Sequence, residues 1–161
     1  MSNVNYVSQE SIKQFAGSFP TGVAVITVGS GNGQCVGLTM NAVTSLSVDP
    51  AKYIICVDNN SNTLEEIRKQ GRFCINFLSS DQKDVAMLFA SKSAEKGEKV
   101  DFMLSELGNP LINGAHAHGE CSVEEYVNGG DHTIIVGGVE RVDVFENGPL
   151  LYYRGKFSDL S

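Results

Sequence analysis

The feature that most restricts this chain is a succession of β-branched runs separated by turn residues, with little room for helix between them. Val23-Ala24-Val25-Ile26-Thr27-Val28 reads as a strand. Gly29-Ser30-Gly31-Asn32-Gly33 then reverses the chain tightly into a second strand over residues 34–46. Asp49-Pro50 turns it again, into a buried third strand at Tyr53-Ile54-Ile55-Cys56-Val57, and residues 73–78 form another. Residues 115–127 and 132–146 predict two long strands around a Gly129-Gly130-Asp131 turn. Asn147-Gly148 predicts a hairpin into Leu150-Leu151-Tyr152-Tyr153. A doubly wound parallel sheet needs a helix between successive strands, and those helices are missing. The expectation is a mainly β, antiparallel barrel with a few peripheral helices.

Three helical segments stand out. Residues 11–19 place Ile12, Phe15, Ala16 and Phe19 on one face, and Pro20 stops them. Thr63-Leu64-Glu65-Glu66 has the form of a capping box and opens a helix that Gly71 closes. Ser79 with Gln82 forms a second box ahead of Val85, Ala86, Leu88 and Phe89. Residues 92–106 are charged and aperiodic, hence a surface excursion.

At 161 residues the chain fits one domain, residues 1–161, able to bury a core without cross-links. A net charge of -7 with no basic stripe argues against nucleic acid and anionic membranes as partners. Cys35, Cys56, Cys74 and Cys121 are far apart, form no C-x-x-C pair, and sit among apolar neighbours. They fit neither a disulfide framework nor zinc, but suit a reducing cytoplasm. The N-terminal Met1-Ser2-Asn3-Val4-Asn5 lacks a signal-peptide apolar run, and no window is apolar for long enough to span a bilayer. A cytoplasmic protein is expected.

The chemistry lies in small polar side chains set along apolar backbone. Buried hydroxyls and amides need partners, so a run of them lines a ligand slot better than an inert core. Alternation from residue 39 to 47 predicts Thr39, Asn41, Val43, Ser45 and Ser47 on one strand face, with Met40, Ala42, Thr44 and Leu46 on the other. Thr39, Asn41 and Ser45 suit the polar edge of a flat tricycle such as a flavin. Asn59-Asn60-Ser61-Asn62-Thr63 ends a strand and begins a helix, where unpaired N–H groups and the helix dipole favour an anion. Capping explains one or two of these five residues, and a phosphate cradle explains more. The glycine-rich residues 29–33 are no phosphate loop, because a strand follows them and no Walker Lys-Ser/Thr pair is present. His116, His118 and Glu120 form a conceivable metal triad on one strand face, but His132 is the only other histidine, so surface or barrel-rim histidines with no metal are the default reading. Gly130-Asp131-His132 holds an imidazole at a barrel rim, where it can stack on an incoming ring. Tyr152-Tyr153-Arg154-Gly155 could cover a cofactor, bind a phosphate or meet a second subunit.

In order along the chain, several stretches resemble those of the short-chain flavin reductases with an FMN-binding split barrel. They are Phe19-Pro20-Thr21-Gly22-Val23-Ala24-Val25, Gly37-Leu38-Thr39-Met40-Asn41, Ser45-Leu46-Ser47-Val48-Asp49-Pro50 and Asn60-Ser61-Asn62-Thr63. Phe73-Cys74-Ile75-Asn76-Phe77-Leu78, Gly108-Asn109-Pro110-Leu111-Ile112, Gly130-Asp131-His132 and Leu150-Leu151-Tyr152-Tyr153-Arg154-Gly155 continue the series. The resemblance implies a Greek-key split barrel and a homodimer with flavin in a groove near the subunit interface. By that likeness Thr39, Met40, Asn41, Ala42, Val43, Thr44 and Ser45 contact the isoalloxazine, with Ser47 further along. Asn60, Ser61 and Thr63, with Asn59 beside them, hold the ribityl phosphate, and Asn76 and Phe77 line the same site. His132 matches the position that seats the nicotinamide, and Tyr153 and Arg154 match the C-terminal strand next to it.

The implied activity is hydride transfer from NADH or NADPH to FMN, with FAD as the other candidate. The reduced flavin passes electrons to a separate monooxygenase or another acceptor. Two alternatives stay open: a tightly flavin-loaded electron carrier or ferric reductase, and a non-catalytic flavin- or haem-binding protein. Residues 92–106 find no counterpart in the resemblance.

Overall fold

The β-branched runs pair as antiparallel neighbours. The computed structural model describes residues 3–160, so Met1 and Ser2 of the polar N-terminus lie outside the described residues. In chain order the elements are α1 (Gln9–Gly17), β1 (Thr21–Gly22), β2 (Ala24–Gly29), β3 (Cys35–Met40), β4 (Val43–Ser47), β5 (Lys52–Asp58) and α2 (Asn62–Gln70). They continue with β6 (Arg72–Phe77), α3 (Lys83–Ala90), β7 (Phe102–Leu104), β8 (Pro110–Ile112), β9 (Ala117–Gly129), β10 (His132–Val144), β11 (Leu151–Tyr153) and β12 (Lys156–Ser158).

The main sheet has seven strands in the order β3-β2-β6-β9-β10-β5-β4, each antiparallel to its neighbours. Its edge strands, β3 and β4, are consecutive in the chain and joined only by Asn41 and Ala42. Three Cα steps from Met40 to Val43 reach at most about 11 Å, whereas seven flat strands would span about 29 Å. The sheet is therefore rolled until its edges meet at one corner.

That corner overturns the single strand expected over residues 34–46. The two-residue alternation restarts there: Met40 and Val43, three apart, both pack on the same core cluster. A shift in register between Ser45 and Ser47 disturbs it again.

β2 is buried on both faces, which is why it reads as an unbroken apolar run. Ala24, Ile26 and Val28 join Ile55, Val57, Phe73, Ile75 and Ile135 inside the roll, where α2 inserts Leu64 and Ile67. Val23 and Val25 face a second cluster with Leu78, Ala86, Phe89, Ile112 and Leu150, roofed by α3. Asn76 ties the layers together. Its amide donates to the Val25 carbonyl and the Thr27 hydroxyl, both at 2.9 Å, and accepts the Ile112 N–H at 2.9 Å.

Both capping boxes shift. Ser61, not Thr63, caps α2, accepting the Thr63 N–H at 3.1 Å. Gly71 ends that helix in the left-handed conformation (φ 69°), as expected. At α3 only the returning half forms: Gln82 Oε1 accepts the Ser79 N–H, while the Ser79 hydroxyl donates to the Gly114 carbonyl.

Residues 92–106 are more than an excursion. They contain a short 3-10 turn (Lys96–Glu98) and β7, which pairs with β8. The Lys96 ammonium donates to the carbonyls of Phe89, at the end of α3, and Gly37, on β3. It fastens the segment over an edge strand that would otherwise be open.

The hairpin expected at Asn147-Gly148 does not form. β11 leaves β10 and pairs instead with β1 and β12 in a small separate sheet. The Asn147 amide is drawn to the Ser79 hydroxyl and the Gly114 carbonyl, which guides that crossing. The helix expected over residues 11–19 runs instead from Gln9 to Gly17, capped by Ser8, so Phe19 lies beyond it; Ile12 and Phe15 on its apolar face are 50% and 77% exposed in this chain.

Candidate functional site

The corner at Asn41 and Ala42 lies between two polar regions. On one side the Ala42 carbonyl accepts the Cys56 N–H at 3.0 Å, tying the corner to β5 two residues before Asp58. The chain then leaves β5 through a tight polar loop. The Asp58 carboxylate accepts the Asn60 N–H at 2.8 Å, and Ser61 caps α2. The first N–H of α2, on Asn62, has no partner within the helix. Thr63 is buried beneath.

Asn59 bridges from this loop to the turn between β9 and β10. Its N–H donates to the Asp131 carbonyl (3.0 Å), its amide nitrogen to the Gly130 carbonyl (3.1 Å), and its amide oxygen accepts the Thr133 hydroxyl (2.7 Å). That turn needs Gly130, whose φ is +78°. It sets His132 opposite Asp58 in register, with the imidazole partly exposed and its Nδ1 2.7 Å from the Asp131 carboxylate. This hydrogen bond holds the Asp131 carboxyl below its ordinary value.

On the other side of the corner is an open groove of about 860 Å3, lined by Asn41, Tyr152, Arg154 and Gly155 with Lys13, Gln14, Gly17 and Ser18 of α1 and the turn after it. Lys13 and Arg154 give it cationic character against the single carboxylate of Glu10. Arg154 and Gly155 form the two-residue turn between β11 and β12, with φ of 48° and 78°. Left-handed backbone is unusual for arginine. The guanidinium lies 5.1 Å from the centre of the Tyr153 ring.

The expected residues thus fall into three places. Asn59, Asn60, Ser61, Thr63 and His132 gather at the start of α2. Asn41 and Arg154 line the groove, with Tyr153 beside Arg154 and 41% exposed. Ser45, Ser47 and Phe77 line a separate apolar cavity of about 250 Å3 with Tyr53, Val142 and Val144. Other residues of the set are engaged by the protein itself. The Thr39 hydroxyl donates to the Ala86 carbonyl of α3 at 2.6 Å. Met40 and Val43 face the core, Thr44 is exposed, and Asn76 is fully buried with its amide bonded on both sides.

His116, His118 and Glu120 do not converge. His116 Nδ1 meets the Leu78 carbonyl at 3.1 Å and His118 Nε2 the Ile112 carbonyl at 2.8 Å, so both nitrogens are N–H donors, not lone-pair ligands. Glu120 is buried against the Ser105 hydroxyl and the Asn109 amide. Among the described residues no cluster of three His, Cys, Asp or Glu side chains has metal-binding geometry. The cysteines are free, and burial pushes the Cys35 and Cys121 thiols up to about 12.

Sequence reasoning missed Lys13 and gave Thr21 no role, while Tyr152 was singled out only as part of the Tyr152-Tyr153-Arg154-Gly155 run. Thr21 pairs with Tyr152, and its hydroxyl is buried without a partner in the protein. No local pattern joins α1 to a strand more than a hundred residues away, so nothing in the sequence marked them as neighbours.

The groove is of the size that small-molecule cofactors occupy. Its cations suit a ligand with an anionic group, and the start of α2, apart from the groove, offers unpaired N–H groups of the same preference. The fold that carries the groove is mainly β, an antiparallel seven-stranded sheet with its edge strands joined at Asn41 and Ala42. The chain belongs to the flavin reductase like domain family, which matches residues 16–161.

It is 34% identical over 157 residues to the reductase subunit HsaB of a flavin-dependent monooxygenase from Mycobacterium tuberculosis, covering 96% of this chain and 83% of that one. A flavin-reductase relative from Rhizobium meliloti is 38% identical over 150 residues, covering 91% of this chain; the chain spans 47% of that relative's length. Among solved structures, the NADH:FAD oxidoreductase SgcE6 of Streptomyces globisporus, in complex with NAD and FAD fragments, superposes with a TM-score of 0.90. It is 32% identical and covers 98% of each chain. Among the described residues no helix is long and apolar enough to cross a membrane.

Proposed function

We propose that this protein is an NAD(P)H:flavin oxidoreductase that supplies reduced FMN, or FAD, to a separate monooxygenase or other electron acceptor. The observation that carries the reading is the Asn41 corner. It sits between a cationic groove and the polar start of α2, which His132 overlooks. The rolled sheet is read as the split barrel of the family and residues 1–161 as one domain, working in the cytoplasm.

Bound flavin supplies a ring that accepts a hydride from the nicotinamide. The protein's own contribution is placement and charge. Asn41 and the corner's backbone offer neutral donors at the ring edge. Asn60, Ser61 and the first N–H of α2 hold the phosphate, with Asn59 beside them. Arg154 and Lys13 add positive charge along the groove, and Tyr153 flanks Arg154. His132 orients the nicotinamide, its ring fixed by Asp131. No general acid or base is required, because the bound flavin itself supplies the hydride-accepting chemistry. Thr39 and Asn76 serve by fixing β3 and β6 beneath the site, and Met40, Ala42, Val43 and Thr44 by shaping the corner.

Ser45, Ser47 and Phe77 are read as reaching the cofactor only where two subunits meet. The support is their apolar cavity, which continues onto the exposed Val142 and Val144 of β10. A homodimer covering this face in solution, measured by sedimentation equilibrium, is the expected state.

The deciding test is anaerobic stopped-flow mixing of the flavin-loaded protein with NADH and, separately, NADPH. Flavin absorbance near 450 nm should bleach far faster than free flavin does at the same nicotinamide concentration. Bleaching no faster than free flavin with either donor would sink the proposal.

A further inference from the structure

We infer that Asn59 is a positioning residue for His132 and not a ligand of the cofactor phosphate. This rests on the reading above that His132 seats the nicotinamide. Asn59 belongs to the polar run at the start of α2, and by sequence it is one more member of the cradle. The structure gives it a different task. Its backbone N–H, amide nitrogen and amide oxygen all cross to the β9–β10 turn, meeting the Asp131 carbonyl, the Gly130 carbonyl and the Thr133 hydroxyl.

The orientation of the amide is fixed. A flip would turn its oxygen onto the Gly130 carbonyl, which cannot donate, so only the observed arrangement satisfies both ends. The three contacts enclose His132 on both sides, through residues 130 and 131 before it and 133 after it. The same residue stands between Asp58 and Asn60, and so links the backbone that begins the phosphate cradle to the backbone that carries the imidazole. Turn and cradle therefore keep a fixed separation, which is what ring-on-ring stacking between two bound cofactors requires.

The test uses Asn59→Ala and the milder Thr133→Val, which removes only the hydroxyl bond and guards against loss of folding in the first. Hydrogen exchange of residues 129–133 in the flavin-free proteins should accelerate roughly tenfold in Asn59→Ala and less in Thr133→Val. FMN Kd, from fluorescence titration, should stay within about twofold, while the NADH KM rises about five- to tenfold. In a His132→Ala background, Asn59→Ala should add nothing further to KM, because the two act as one unit.

A tenfold loss of FMN affinity with unchanged turn exchange would make Asn59 a phosphate ligand and overturn the inference. Effects of Asn59→Ala and His132→Ala that simply add would overturn it too. Wild-type protein that neither nicotinamide bleaches removes the functional reading and the orienting role together, and the exchange data then report on the bridge alone.

Discussion

The Asp131 carboxylate accepts a hydrogen bond from His132 Nδ1 at 2.7 Å. An ionised carboxylate can only accept, so Nδ1 carries the proton and the neutral ring keeps its lone pair on Nε2. The pair presents a defined tautomer on a turn whose backbone Asn59 holds.

The pair gives Asp131 a depressed pKa, caused first by its hydrogen bond to His132. Its contribution to stability is complete above the ordinary carboxylate range and fades as pH falls through the depressed value. Carboxyl NMR should place the Asp131 midpoint below that of a free aspartate, and His132→Ala should return it to the ordinary value. An identical midpoint in both proteins would contradict the pairing.

Arg154 occupies left-handed backbone in a two-residue hairpin turn, where asparagine is favoured. Arg154→Asn should therefore stabilise the fold by about 0.5–1 kcal/mol, seen as a higher urea midpoint. The same change removes a groove cation and should weaken flavin binding roughly tenfold. Stability and affinity moving in the same direction would refute this trade-off.

Asn76→Ala leaves the Val25 carbonyl, the Thr27 hydroxyl and the Ile112 N–H to find new partners in a buried layer. The expected cost is about 2–4 kcal/mol in chemical denaturation. A loss below about 0.5 kcal/mol would mean that the three groups re-pair without it.

The Cys35 and Cys121 thiols, ordinarily titrating at 9.0, are raised to about 12 by burial. Between those values the unfolded chain releases protons that the native protein keeps, so stability falls as pH rises. The limiting slope is about 1.4 kcal/mol per pH unit for each thiol. Urea midpoints should drop across this alkaline window and recover in part in Cys35→Ala. Under native conditions iodoacetamide should modify the half-buried Cys56 ahead of the other three cysteines.

Much of the fold could be read from local pattern. The β-branched runs located the central strands, and the missing helices between them signalled antiparallel pairing. Gly71 marked the end of α2. What escaped was decided by distant contacts. The break at Asn41 follows from two sheet edges meeting, which alternation cannot register. Ser61 caps α2 because Asp58 bends the chain ahead of it, so the box at Thr63 goes unused. The Asn147-Gly148 pair looked like a hairpin, yet Ser79 and Gly114 hold the Asn147 amide. In the site, sequence grouped polar residues by type, whereas the fold divides them by task. Asn41 and Arg154 face the groove, Thr39 and Asn76 face other backbone, and Lys13 and Tyr152 arrive from remote segments.

Asn41 and Ala42 close a circuit: strands adjacent along the polypeptide stand farthest apart across the sheet. Each of the two has its hairpin partner next to it in the chain, β3 on β2 and β4 on β5, so the joint at Asn41 and Ala42 ties one local hairpin to another. By the functional reading proposed above, a cofactor held at this joint would act as a clip between the two hairpins.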